Sequence, residues 1–247
     1  MSTAVAAVQA ASQAATEARS EPLRARAKGV AADLVTDADA KAEHAAVSVI
    51  RAAFPDDAII GEEGTDDAGD GPRRWYVDGI DGTVGFAAGM PGAWCSAVVL
   101  TDADGPLACA AHNPAGELYA AARGQGATLN GEPLTFTTAP TTLERANVAI
   151  FLRQDRLVLP GVRETAHAVI DRAGIFRHAG PGTLELAWVA AGRLDAWIQP
   201  ETDPWDWLPG RLLVEEAGGT TRTVQKDVRW HVAGSSSLVD ALVSLIT

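Results

Sequence analysis

Apolar and polar positions along this chain of 247 residues follow two different periods, and the change between them sets the expected architecture. Residues 1–28 open with alanine interspersed with single polar side chains, a composition of high helix propensity, and predict one helix. "DADAKAEHAAVSVIRAAF" repeats its apolar residues at helical spacing behind the start signal Thr36-Asp37, and Pro55 stops it. The period then shortens. "AIIGEEG" is a short β-branched run that breaks into glycine and acid. "RRWYVDGI" is the next strand, and "AWCSAVVL" and "PLACAAH" flank "TDADG" as a hairpin. "GELYAAARGQGATLNGEPLTF" continues the meander, with Asn130-Gly131 as the strongest hairpin signal in the chain.

Beyond "TTAPTTLE" strands and helices alternate. "NVAIF" and "RLDAWIQP" read as strands, and "VRETAHAVIDRA", "TLELAWVAAG", "WDWLPGRLLVEEAGG" and "LVDALVSLI" as helices. Antiparallel strands first and α/β units later predict an α+β or α/β fold in two subdomains, 1–140 and 141–247.

Composition narrows the classes. A hydrophobic content of 47% is ample for a core. No stretch reaches the roughly 18 uninterrupted apolar residues of a membrane span, so no membrane partner is expected. The N-terminus has no basic start and reads as a helix, not a signal peptide. Cys95 and Cys109 form no CxxC pair and are expected as reduced thiols in a cytoplasmic protein. A formal charge of −12 argues against a nucleic-acid partner and fits a protein that handles cations or small molecules.

The chemistry then concentrates in the acids. Glu62 and Glu63 follow one buried strand and a glycine. Asp78 and Asp81 follow another, in "WYVDGIDGTVGF". Asp206 opens a helix after "WD". Two neighbouring carboxylates repel each other and contribute nothing to packing, so a cation is expected between them. Hard divalent ions such as Mg2+ take oxygen ligands, with substrate phosphate and water completing the shell. Gly79 and Gly82 permit a turn that aims both aspartates into one crevice. "DGT" offers free backbone N–H groups at a helix start, where phosphate binds. Taken singly, DxxDGT is equally a turn with a helix cap, "GEEG" a solvated loop, and Asp206 a helix N-cap. Their order, each after an apolar strand, describes a site for metal-assisted phosphoryl transfer to water.

Those blocks resemble the inositol monophosphatase superfamily of metal-dependent, lithium-sensitive phosphatases. "ADLVTDADAKAE", "IIGEEG", "DGIDGTVGFAAGMP", "NPAGELYAAARGQGATLNGEPL", "GPGTLELAWVAAGRLDAWI" and "WDWLPGRLLVEEAGG" match the family's blocks in order over nearly the whole chain. The resemblance implies a layered α/β/α/β/α sandwich of the sugar-phosphatase type, a homodimer, and two to three Mg2+ ions per site. It places Glu62, Asp78 and the Ile80 carbonyl on the first ion, and Asp78, Asp81 and Asp206 on the second. Thr83 and Glu62 would orient and help deprotonate the attacking water, with Asp81 beside them. The N–H groups of Gly82 and Thr83 would receive the phosphate. Gln199 and Asp206 would face the rest of the substrate, and Lys28, Asp33 and Asp39 would support the ligands from behind.

The chain departs from the family pattern in places. Gly79 replaces a proline and Gly85 an asparagine, and both are expected to loosen the loop. Leu208 and Pro209 replace small residues, with Pro209 expected in the first turn of a helix starting at Asp206. Gln199 stands where many inositol-phosphate-hydrolysing relatives carry glutamate. The five histidines show no ligand spacing and are expected at the surface or hydrogen-bonded. Acidic, glycine-rich residues 65–71 read as a loop or lid. Two classes of function follow. One is an Mg2+-dependent phosphomonoesterase for a small polyol, sugar or inositol phosphate, or alternatively for histidinol phosphate. The other is a low-activity metal-binding regulatory protein that retains the fold.

Overall fold

The computed structural model describes residues 1–20, 25–28, 30–137 and 142–246, without the side chains of 25, 28 and 30–34. Residue 140, the expected subdomain boundary, lies outside the described residues. So do the side chains of Lys28 and Asp33.

Two sheets carry the fold. The larger has eight strands, in the spatial order Glu132–Leu134, Ala127–Leu129, Glu117–Ala122, Gly105–Asn113, Cys95–Asp102, Arg74–Asp81, Ala58–Gly61 and Asp66–Asp67. All its pairings are antiparallel except Ala58–Gly61 with Arg74–Asp81. The smaller has five, in the order Ile175–Arg177, Asn147–Ala149, Ala196–Pro200, Arg229–Gly234 and Thr220–Gln225.

Period-2 alternation makes the layers. Val98 and Leu100 point to one face of the large sheet, against the alanine stripes of the Ser2–Ala18 and Asp37–Ala53 helices. Cys95, Ala97 and Val99 point to the other, against the Gly182–Ala190 and Pro204–Ala217 helices. Those two helices also cover Trp197 and Ala233 of the small sheet. On its far side, Ala196, Ile198, Trp230 and Val232 pack against the Val162–Arg172 and Ser236–Val243 helices. The result is the expected α/β/α/β/α sandwich.

The local differences have local causes. The first helix stops at Ala18, not residue 28, because 25–28 pair as a strand with Val30–Thr36. Tertiary pairing overrides propensity there. Strands Thr220–Gln225 and Arg229–Gly234 escape the sequence pattern because the first, "TTRTVQ", is a largely polar edge strand. Residues 65–71 contain the short strand Asp66–Asp67 on the sheet edge, and Arg51 pairs with Asp67. The helix expected to start at Asp206 starts at Pro204, with Asp203 as its N-cap, since proline suits the first helical position. Pro209 therefore lies inside the helix and cannot donate to the Trp205 carbonyl. Its own carbonyl accepts from the buried Cys109 thiol at 3.3 Å.

Candidate metal centre

A spacing of three would send Asp78 and Asp81 to opposite faces of a regular strand. The strand prevents this with a bulge. Asp78 pairs with Ala97 but Asp81 with Cys95, so one extra residue is inserted between them. Ser96 fixes the bulge by donating its hydroxyl to the Gly79 carbonyl at 2.7 Å, and the Ile80 N–H donates to Asp78 Oδ1 at 2.9 Å. The Pro204–Ala217 helix brings Asp206 to the same point. Carboxylate oxygens of Asp78, Asp81 and Asp206 lie within 4.8 Å of one another.

All three acids are raised toward protonation, Asp78 and Asp206 in part by neighbouring carboxylates. Burial is the leading cause for each. Asp78 rises well above the usual range through burial, then through the charges of Glu62, Asp81, Asp206 and Asp39. Asp206 rises likewise through burial, then Asp81, Glu62 and Asp203. Asp81 reaches about 6, held back by the Thr183 backbone N–H that donates to its Oδ2 at 2.9 Å. Glu62 stands outside the trio, yet after burial its charge acts most strongly on Asp78. The donor set is oxygen only, and the cost of keeping it ionised disappears when a divalent cation sits among the carboxylates. The residues therefore fit a hard metal ion.

Thr83 opens the short helix Thr83–Ala88 and donates its hydroxyl to Asp39 Oδ1 at 2.7 Å, with the Ile80 carbonyl at 3.2 Å. The other oxygen of Asp39 accepts from the Thr36 N–H at 2.8 Å and the Thr36 hydroxyl at 2.6 Å, closing the capping box of the Asp37–Ala53 helix. Gly82 has a φ of 96°, and a Cβ there would meet the Ala93 carbonyl at 2.6 Å. Only glycine fits.

The two glycine departures do not loosen the loop. A Cβ at Gly79 would lie 2.5 Å from the Glu43 backbone nitrogen, and one at Gly85 would lie 2.5 Å from the Ala93 carbonyl oxygen. Both mark places where backbone or side chain comes too close for any side chain to intervene.

On the other side of Asp206, Gln199 lies next to the Gly182–Ala190 helix, its Oε1 3.5 Å from where a Gly182 Cβ would stand. It is cross-strand partner to His231. His231 is buried rather than at the surface, with its Nδ1 unpartnered among the described residues and its ring stacked 4.5 Å from Trp207. Trp207 in turn stacks on Trp197 at 5.7 Å. Burial, helped by Arg229 and Arg211, lowers His231 to about 3, so it stays neutral.

Sequence reasoning missed Glu43, Ser96 and Thr183. Only Glu43 left a trace. It falls four residues after Asp39 on a helix face otherwise built of Ala38, Ala42, Ala46 and Ile50, and an acid in an apolar stripe is a signal. Ser96 and Thr183 act through backbone groups that no pattern marks. Surface clefts of about 410 Å³ at residues 157–164 and about 370 Å³ between the first helix and His112 are lined by none of the site acids.

The Inositol monophosphatase family model matches residues 1–242. An inositol-1-monophosphatase from Synechocystis is 35% identical over 196 residues, 78% of this chain and 67% of that protein. The Nus factor SuhB of Escherichia coli is 34% identical over 188 residues, 76% of this chain and 70% of that protein. The crystal structure of the extragenic suppressor protein suhB from Bartonella henselae superposes with a TM-score of 0.85 at 28% identity, covering 100% of this chain and 96% of that one. Inositol-1-monophosphatase and Nus factor names thus fall on relatives of similar identity.

Proposed function

The chain belongs to the inositol monophosphatase family, and from that premise we propose that it is an Mg2+-dependent phosphomonoesterase acting on a small polyol, sugar or inositol phosphate. The observation that supports this most is the convergence of Asp78, Asp81 and Asp206 within 4.8 Å, from two separate segments, where each is raised toward protonation. Such a cluster is a liability without a cation.

Asp78, Asp81, Asp206, Glu62 and the Ile80 carbonyl would hold two to three Mg2+ ions. When bound, Mg2+ supplies charge neutralisation, polarisation of the phosphoryl oxygens and a more acidic water. The chain's own groups do the rest. Thr83 gives its one proton to Asp39, so its oxygen faces the site as an acceptor and orients the attacking water through that water's proton. Glu62, the second acceptor, takes up the proton that the water loses. The N–H groups of Gly82 and Thr83, at a helix start without intrahelical partners, receive the phosphate. Gln199, beyond Asp206, meets the leaving alcohol. The reading includes a cytoplasmic homodimer, with the oligomeric state checked by light scattering.

Phosphate release from a panel of inositol, sugar and histidinol phosphates, with Mg2+ and with chelator, tests the proposal. Turnover of at least about 1 s⁻¹ on one substrate, abolished by chelator, is the expected result. The SuhB relatives motivate the second reading, a metal-binding regulatory protein. It takes precedence if the protein binds Mg2+ but no panel member is turned over.

A further inference from the structure

We infer that Glu43 is a positioning residue that sets the affinity of the centre for its cation by holding the Glu62 loop, although its own oxygens are taken up by that loop. The inference rests on the metal-centre reading above.

Glu62 sits in a tight turn, Gly61 to Thr65. The Gly61 N–H donates to the Thr65 carbonyl at 2.7 Å and closes it, and the Glu62 N–H donates to the Val77 carbonyl at 3.1 Å and ties it to the next strand. Two further N–H groups of the turn, those of Glu63 and Thr65, point the other way. Both go to Glu43. Its Oε2 accepts from the Glu63 N–H at 2.7 Å, and its Oε1 accepts from the Thr65 N–H at 3.1 Å and the Thr65 hydroxyl at 2.6 Å. The fit leaves no slack, since a Cβ at Gly61 would stand 2.3–2.4 Å from the Glu43 carboxyl group.

Glu43 is 3% exposed. A carboxylate is costly to bury unless its oxygens are hydrogen-bonded, so an acid kept in an alanine stripe signals a use. The use follows from the place of Glu62, whose N–H is tied to the carbonyl of Val77, the residue before Asp78. A displacement of the 61–65 turn therefore moves Glu62 relative to the clustered acids. The same helix face, one turn earlier, carries Asp39 on the Thr83 hydroxyl. One rigid helix thus fixes both the water-orienting hydroxyl and the acid opposite it. Groups hydrogen-bonded behind a ligand typically cost about 10–100-fold in metal affinity when removed.

The test is a double-mutant cycle on the full chain, read by calorimetric titration of metal-free protein with MgCl2 alone. Glu43→Gln leaves one loop N–H facing an amide instead of an oxygen, and Mg2+ affinity is expected to fall about tenfold or more. In a Glu62→Gln background the same change is expected to have less than a twofold effect, because Glu43 acts through Glu62. Thr65→Val, which removes only the hydroxyl contact, gives a smaller loss with the same dependence on Glu62, and serves if Glu43→Gln does not fold. Equal losses in both backgrounds, or unchanged Mg2+ affinity in a folded Glu43→Gln, overturn the inference. A wild type that binds no Mg2+ overturns the metal-centre reading and this inference with it. Wild-type binding lost in Asp78→Asn but untouched by Glu43 or Thr65 overturns the inference alone.

Discussion

The two sides of Asp206 are built on opposite terms. On the N-terminal side the polar groups around the site are tied down by the protein itself: Asp39 by Thr36 and Thr83, Glu43 by the 63–65 loop, the Gly79 carbonyl by Ser96. On the C-terminal side the reverse holds. Among the described residues, Gln199 Oε1, Thr202 Oγ1, Arg229 Nε and His231 Nδ1 are buried there without a hydrogen-bond partner. Buried polar groups normally find partners, in protein or in water. A side that is saturated can hold a fixed charge pattern. A side with spare donors and acceptors can meet hydroxyls of varied arrangement.

The largest predicted effect breaks the saturated side. Asp78→Asn removes a carboxylate from the trio, and Mg2+-dependent turnover is expected to fall by at least about a hundredfold, or 2.7 kcal/mol. The metal-free variant is expected to melt higher than metal-free wild type, because the repulsion among the acids is relieved. Activity above about a tenth of wild type at saturating Mg2+ sinks the role given to Asp78, since a metal is expected to supply several kcal/mol to the transition state.

The same repulsion has a pH signature of definite sign. Asp78, Asp81 and Asp206 all have folded-state values above the ordinary 3.8, and Asp81 reaches about 6. The metal-free folded state thus binds protons more tightly than the unfolded chain. The Asp81 share of this stability is full below 3.8 and is lost as pH rises through about 6. In chelator, the melting-temperature gap between Asp78→Asn and wild type should therefore widen from pH 4 to pH 7, and saturating Mg2+ should close it. A gap constant with pH removes the acids from the explanation.

Gly79 sharpens the comparison from the packing side. The sequence marks it as a loosened proline position, and the structure shows the Asp37–Ala53 helix pressed against it. Gly79→Pro and Gly79→Ala are each expected to destabilise by about 1–3 kcal/mol through overpacking, at roughly 2–4 °C of Tm per kcal/mol in a chain of this size. Activity should fall with them, since the displaced helix carries Asp39. Unchanged Tm in Gly79→Pro restores the looser reading.

What could be read in advance follows the same division. The acids were legible because carboxylates after apolar strands have few uses. The bulge that turns Asp78 and Asp81 to one side was not, since it exists only against Ala97 and Cys95 of the neighbouring strand. The sandwich was legible from alternation and family blocks. The 25–28 strand and the polar edge strand Thr220–Gln225 were not, because pairing rather than composition makes them. Gly79 was misread because a glycine that permits freedom and one that permits contact look alike in one dimension. His231 was set aside for want of ligand spacing, and its position opposite Gln199 depends on register alone.

The smallest predicted effect tests the unsaturated side. Gln199 Oε1 has no partner among the described residues, and an amide offers an acceptor and a donor where glutamate offers only acceptors and a charge. His231, directly opposite, is held neutral by burial and cannot compensate that charge. Gln199→Glu is therefore expected to raise kcat/KM for inositol 1-phosphate and for the cationic histidinol phosphate by about tenfold, some 1.4 kcal/mol, relative to neutral sugar phosphates. Glu201 and Asp203 are close along the chain, but Glu201 already accepts from the Arg229 N–H at 2.5 Å and the Asp203 carboxylate faces Arg156 at 3.7 Å, so neither replaces the missing carboxylate. The comparison needs kcat/KM for all three substrate types on both proteins at saturating Mg2+, so that a change in metal demand does not enter the ratios. A wild type that already prefers inositol 1-phosphate by a hundredfold, or a variant that leaves the ratios unchanged, removes Gln199 from the substrate side and moves specificity to the groups around His231.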